Sequence, residues 1–257
     1  MVDVLVCVKR VVDSTGKVTL APDEQSIDGR YAGYTLSRHE ECAIELAVRA
    51  AKTTDGSSTV VTIGDADAEE QLRTALAMGV DAATHVLADA SRLGPADVAQ
   101  ELAAVVRDHA ADGRSYGLVL LGNDAADSGD FQVGIRLAHE LGRPVVNGAN
   151  SAEVKDDRVI ALVNGPEGHE TYDVPLPVVV TVLEGGVEPK YPSVPGRMKA
   201  KRVVIEQREA ASEPAGPSRV RLRLPEPPPS QVQILGTGPE AAAAVVDLLE
   251  TLGVVGR

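Results

Sequence analysis

Three short Val-rich runs, at residues 4–8, 59–63 and 118–121, each end near a glycine or a turn and are followed by longer Ala/Leu-rich stretches. Runs of that length bounded by turn signals predict buried strands. Between them, residues 40–52, 68–78, 95–111 and 131–141 place apolar side chains at three- and four-residue steps. That period predicts amphipathic helices. Strands alternating with helices build βαβ units, so the expected fold is α/β, a doubly wound, mostly parallel sheet covered on both faces. A ligand is then expected beyond the carboxyl ends of the strands.

From Val145 the helical period stops. Residues 152–155, 158–163 and 170–174 alternate as short antiparallel strands, the first two joined at Asp156-Asp157. Residues 178–183 are continuously apolar, as in a strand buried on both faces, and a Gly/Pro-punctuated loop is expected over 184–196. After Glu209 prolines crowd the sequence, with Pro214, Pro217, Pro225, Pro227, Pro228 and Pro229 close together. This segment cannot be a core helix. An Ala/Leu/Val helix follows at 239–252, reached by an extended linker and in need of a surface to bury it. The expected division is an α/β domain over 1–208 and a C-terminal arm with a helix over 209–257.

Composition narrows the function classes. With 257 residues, 44% of them hydrophobic, the chain can bury the core of one large domain with an appendage. A net charge of -13 argues against duplex nucleic acid, which demands clustered Lys and Arg, and against insertion at an anionic membrane. No apolar stretch approaches bilayer length. The start at Met1 runs into a strand without a basic, cleavable leader, and Cys7 and Cys42 have neither disulfide nor zinc spacing. A reducing cytoplasm is the expected location. Aromatic residues make up 2% of the chain, with Phe131 the single phenylalanine, so a cage of rings around a flavin within this chain is not expected.

Two glycine-rich segments invite functional readings. Gly236-Thr237-Gly238-Pro239-Glu240-Ala241 fits the GxGxxA dinucleotide pattern, but no second strand with a ribose-binding acid follows, and a turn with Pro at the first helical position is the better reading. The loop Gly122-Asn123-Asp124-Ala125-Ala126-Asp127-Ser128-Gly129-Asp130 lies between a strand and a helix whose free N–H groups would hold a phosphate. Its three acids do not have the spacing of a calcium loop, and Asp130 is expected to cap the helix. No GxSxG, GxxxxGK[ST] or HExxH motif is present, and His39, His85, His109, His139 and His169 lack metal-ligand spacing. The basic run Arg197, Lys199, Lys201, Arg202 follows the 184–196 loop and is a candidate docking surface.

Three blocks, in order across nearly the whole chain, resemble the β subunit of electron-transfer flavoproteins. The first is Val4-Leu5-Val6-Cys7-Val8-Lys9-Arg10-Val11 with Ala43-Ile44-Glu45-Leu46-Ala47-Val48-Arg49. The second is Leu72-Arg73-Thr74-Ala75-Leu76-Ala77-Met78-Gly79-Val80-Asp81, then Leu120-Leu121-Gly122. The third is Leu176-Pro177-Val178-Val179-Val180-Thr181, Glu188-Pro189-Lys190-Tyr191 and Met198-Lys199-Ala200-Lys201. Departures occur at Ser14, at Ser37-Arg38-His39 and at Asn164.

The resemblance implies a fold of the adenine-nucleotide α-hydrolase type and a role as an electron carrier without catalytic residues of its own. It implies a heterodimer with an α subunit that holds FAD at the shared interface, accepts electrons from flavin-dependent dehydrogenases and passes them on. The tail becomes the arm that wraps α, residues 184–201 the recognition loop, and Val194 its exposed docking anchor. A second nucleotide, AMP or in bifurcating relatives a second FAD, is implied at Cys7, Ile63, Gly122, Asn123, Asp124, Ala125, Asp127, Ser128, Gly129, Asp130, Phe131, Gln132 and Val133. A stand-alone adenine-nucleotide-binding regulator of the same fold is the rival from another class.

Overall fold

The computed structural model describes all residues except 14–17, 31, 216–219, 227–228, 230–231 and 256–257. Ser14, Pro217, Pro227 and Pro228 therefore lie outside the described residues. Two compact units are present, residues 1–222 and 223–257.

In the first unit the elements run β1 (Asp3–Val8), β2 (Val11–Val12), β3 (Tyr34–Thr35), α1 (Arg38–Thr53), β4 (Ser58–Gly64), α2 (Glu69–Met78), β5 (Ala82–Leu87), α3 (Pro95–Ala111), β6 (Tyr116–Gly122) and α4 (Val133–Leu141). They continue with β7 (Val145–Lys155), β8 (Arg158–Gly165), β9 (Gly168–Pro175), β10 (Val178–Val182), α5 (Val194–Ala200) and β11 (Glu206–Glu209). Nine strands form one sheet in the order β11-β5-β4-β1-β6-β10-β7-β8-β9. Within this sheet all pairings are parallel except β7 with β8 and β8 with β9, and β2 pairs antiparallel with β3 apart from it.

Alternation along the central strands covers both faces. Val4, Val6 and Val8 of β1, with Val60, Leu118, Leu120, Val178 and Val180, pack with α1 and α2. Leu5 and Cys7, with Val61, Ile63, Val119, Leu121 and Val179, pack with α3 and α4. A strand buried on both faces must be apolar at every position, which is why these strands read as continuous runs.

The strand order decides where a ligand can sit. The chain passes from β1 outward through β4 to β5, then returns over α3 to β6 on the other side of β1. The winding reverses between β1 and β6, and a crevice opens at such a switch point. Beside it, helix α4 packs closely on β10 through Gly134, where an added Cβ would lie 2.3 Å from Thr181 Cγ2.

Several expectations change. Strand β5 has no counterpart among the predicted strands, because its Ala82-Ala83-Thr84-His85 start lacks the Val-rich signature. The predicted 152–155 strand is the end of an eleven-residue strand beginning at Val145. The loop expected over 184–196 ends in helix α5, with Ser193 Oγ accepting from the Gly196 N–H at 3.0 Å and the helix packed on α2. The helix expected from 131 starts at Val133, since Phe131 has a positive φ of 53° that breaks helical geometry.

Residues after β11 continue to bond within the first unit. The Ala210 N–H donates to the Leu87 carbonyl, and the buried Glu101 carboxylate accepts from Ala211 N, Ser212 N and Ser212 Oγ.

In the second unit a short turn of 3-10 helix, Pro239–Ala241, leads into α6 (Ala242–Thr251). Gly238 is the N-cap and Pro239 opens the helical turn, and no strand precedes the motif among the described residues. The GxGxxA match is thus a capped turn.

Candidate functional site

At the β1/β6 switch point the structure forms a cavity of about 120 Å³, several times the roughly 10–15 Å³ that holds one water. Its floor is the carboxyl ends of three strands: Cys7 from β1, Ile63 from β4 and Gly122 from β6. The β6–α4 loop supplies Asn123, Asp124, Ala125 and Ser128, and the approach to α4 supplies Asp130, Phe131, Gln132 and Val133. Of the expected binding residues, Asp127 and Gly129 stand outside the wall. Gly129 shapes the loop instead, with a left-handed φ of 61° that a Cβ would strain.

Three further groups complete the wall that sequence reasoning did not single out. Val8 and Lys9 continue β1 into the cavity, Glu40 approaches from the first turn of α1, and Leu93, Gly94, Pro95, Val98 and Leu102 close the side opposite the loop. A signal for Lys9 was available, since it follows a predicted strand at its carboxyl end. The α3 wall had none, because it depends on β5, which the apolar pattern hides.

The expected capping role of Asp130 is not observed. The N-cap of α4 is Gln132, and its side chain makes no capping bond; its Oε1 accepts from Arg136 Nε and Nη2 at 3.1 and 2.9 Å instead. The helix begins two residues later than the capping assignment requires, so Asp130 faces the cavity. The first backbone bond of α4 runs from Arg136 N to Gln132 O, which leaves the amides of the first turn directed outward, where a helix favours an anion.

Of the other two loop acids, Asp127 is paired with a lysine and Asp124 faces an imidazole. Lys9 Nζ lies 2.7 Å from Asp127 Oδ1, and His39 Nδ1 lies 3.1 Å from Asp124 Oδ1. Asn123 is held by its N–H to Val182 O and by its side-chain oxygen to Thr181 Oγ1 at 2.8 Å. Loop and strand ends therefore form one bonded rim.

Glu40 is the buried carboxyl of that rim, 4% exposed. It belongs to the capping box of α1, in which Ser37 Oγ accepts from Glu40 N, while Glu40 Oε2 accepts from Ser37 N at 2.8 Å and Oε1 accepts from Lys9 N. Burial pushes its pKa up to about 7, and the bonds from Ser37 and Lys9 pull in the other direction. Burial, with Glu40 adding to it, raises the Cys7 thiol far above its usual range. Cys7 is thus a neutral thiol, which does not act as a nucleophile. Among the described residues no cluster of three His, Cys, Asp or Glu side chains converges as a metal site. Nor, among the described residues, is any helix long and apolar enough to cross a membrane.

On α5, Val194 is 74% exposed, with Tyr191 and Met198 also exposed and the side chains of Arg197, Lys199, Lys201 and Arg202 in solvent around them. Asn164 pairs across the β8–β9 hairpin with His169 Nδ1 at 2.8 Å.

Residues 27–213 match the electron transfer flavoprotein domain. Among curated proteins, the chain is 36% identical to the human electron transfer flavoprotein subunit beta over 79% of each chain. It is 33% identical to the Bacillus subtilis protein of the same name, over 80% of this chain and 79% of that one. The corresponding protein of Megasphaera elsdenii is 31% identical over 95% of this chain and 90% of its own.

Proposed function

The chain belongs to the electron-transfer flavoprotein β-subunit family, and from that premise we propose that it pairs with an α subunit to form an FAD-containing heterodimer. The heterodimer accepts electrons from flavin-dependent dehydrogenases and passes them to a downstream acceptor. The flavin, held chiefly by α, supplies the one- and two-electron chemistry. This chain binds a nucleotide, shapes the interface and presents the docking surface.

The observation that carries the nucleotide part is the cavity at the switch point, where the uncapped first turn of α4 offers amides to a phosphate beside Ser128 and Gln132. AMP is the leading occupant. A second FAD must also seat an isoalloxazine ring, and Phe131, 52% exposed, is the one aromatic side chain on the wall among the described residues. The second FAD remains the alternative, because Gly129-Asp130 and Gln132-Val133-Gly134 are similar to the bifurcating branch.

Co-expression with an α subunit, acid extraction and chromatography test the proposal. One FAD and one AMP per heterodimer support it, two FAD favour the bifurcating alternative, and FAD alone removes the nucleotide site. Gly129→Val, which forces a β-branched residue into left-handed backbone, is expected to expel the nucleotide and spare the interfacial FAD.

Residues 209–257 act in this proposal as the arm that wraps α, and Val194 as the apolar anchor for the dehydrogenase. The support is physical. α6 has no buried residue, and the Val194 side chain stands in solvent beside a basic fringe.

A further inference from the structure

The cavity has a charge problem. Its wall carries Asp124 and Asp130, Asp127 lies on the same loop, and Lys9 is the one Lys or Arg side chain on the wall among the described residues. A helix N-terminus supplies only about half a unit of positive charge, which does not offset several carboxylates around a phosphate. The neighbouring cation, Arg10, is engaged elsewhere, with its guanidinium 3.4 Å over the Tyr34 ring and 3.7 Å from Asp67.

Lys9 is placed from both ends. Its N–H donates to the buried Glu40 carboxylate, which is itself tied to Ser37 at the cap of α1. Its ammonium reaches across the end of β1 to Asp127, 2.7 Å away, on a loop whose neighbours Asp124 and Ser128 line the cavity. Three elements meet through this one residue. The two partners are 38% and 29% exposed, so the pair adds little to stability, since exposed ion pairs contribute about 0–1 kcal/mol. Its charge nonetheless acts over the short distance to the loop, where a phosphate would lie.

We propose that Lys9 determines the charge selectivity of the cavity: by pairing with Asp127 it makes an acid-rich loop accept the phosphate of an adenine nucleotide. The inference rests on the nucleotide reading of the cavity and deepens it. Without Lys9 the Asp127 carboxylate is uncompensated, and repulsion falls on phosphate-bearing ligands alone. A nucleoside, lacking that charge, is indifferent.

The test uses the α/β heterodimer stripped of its adenine nucleotide, titrated calorimetrically with AMP and with adenosine. Lys9→Gln is expected to weaken AMP on the order of tenfold, to leave adenosine within about twofold, and to leave the melting temperature nearly unchanged. Adding Asp127→Asn to Lys9→Gln recovers most of the AMP affinity, because the repelling charge is gone. Lys9→Arg retains AMP binding, and raising salt narrows the gap between wild type and Lys9→Gln. Equal weakening of AMP and adenosine by Lys9→Gln, or no recovery in the double variant, overturns the proposal and leaves the nucleotide reading intact. Failure of the wild type to bind AMP overturns both.

Discussion

Helices α1 and α6 both carry alanine, valine and leucine side chains, yet they end in opposite environments. α1 buries ten residues, from Glu40 to Ala51, whereas α6 buries none, and its Val245, Val246 and Leu248 are 41%, 49% and 39% exposed. The apolar content of α6 is the higher of the two. Hydrophobic composition thus sets how much area a helix can remove from water, but a facing surface decides whether it does. For α1 that surface is the sheet of its own chain. For α6 the proposed surface belongs to the α subunit.

Deleting residues 226–257 probes this contrast most severely. Association with α is expected to be lost entirely, while the melting temperature of the remaining chain stays within a few degrees. Size-exclusion chromatography with α and a thermal melt read both, and stoichiometric co-elution of the truncated chain would refute the arm.

A paired substitution sharpens the same contrast. Leu46 of α1 is buried, and Leu46→Ala is expected to destabilise the chain by about 2–5 kcal/mol through lost transfer energy and the cavity left behind. Leu248→Ala in the isolated chain is expected to change stability by no more than about 0.5 kcal/mol. Urea titration compares them, and with α present Leu248→Ala should weaken the complex measurably.

Buried charge separates the two helices as well, since α1 buries Glu40 and Glu45 and α6 buries no carboxylate. Glu40 has a folded-state pKa of about 7 against an ordinary 4.5, so folding favours its protonated form. The stability it contributes is complete below about pH 4.5 and is lost as the pH rises through 7, on the order of 3 kcal/mol in all. Glu40→Gln should flatten that fall. Unfolding free energies from pH 5 to 8 decide it by slope, because an amide cannot accept from Ser37 and Lys9 together and shifts the whole curve. Parallel curves for the two proteins would exclude the assignment.

Val194 is the smallest step. As an exposed apolar residue in the first unit it resembles those of α6, and Val194→Ala is expected to alter stability by less than about 0.5 kcal/mol. Electron acceptance from the cognate dehydrogenase should slow, with flavin content unchanged. Unaltered stopped-flow transfer kinetics would remove this residue from the docking surface.

Much of the first unit was legible because its strands are buried on both faces and its helices are amphipathic. Residues 95–111 were bounded correctly, with Pro95 opening α3. Strand β5 was not legible, because Ala82, Ala83 and His85 do not look like strand residues until β4 and β11 pair on either side. The cap of α4 was misread for a related reason. Asp130 is a good capping residue, but Phe131 takes a positive φ and the helix waits until Val133. Local preference yielded to the path of the loop.

By itself the sequence determined the alternation of elements, the doubly wound fold class and the loop at the end of β6, because each rests on short-range periodicity or on turn chemistry that the chain carries locally. Only the tertiary structure decided that Lys9, Glu40 and the first turn of α3 join that loop around one cavity. Lys9 and Asp127 are 118 residues apart, and the order in which strands enter the sheet, rather than any local pattern, brings their side chains to within bonding distance.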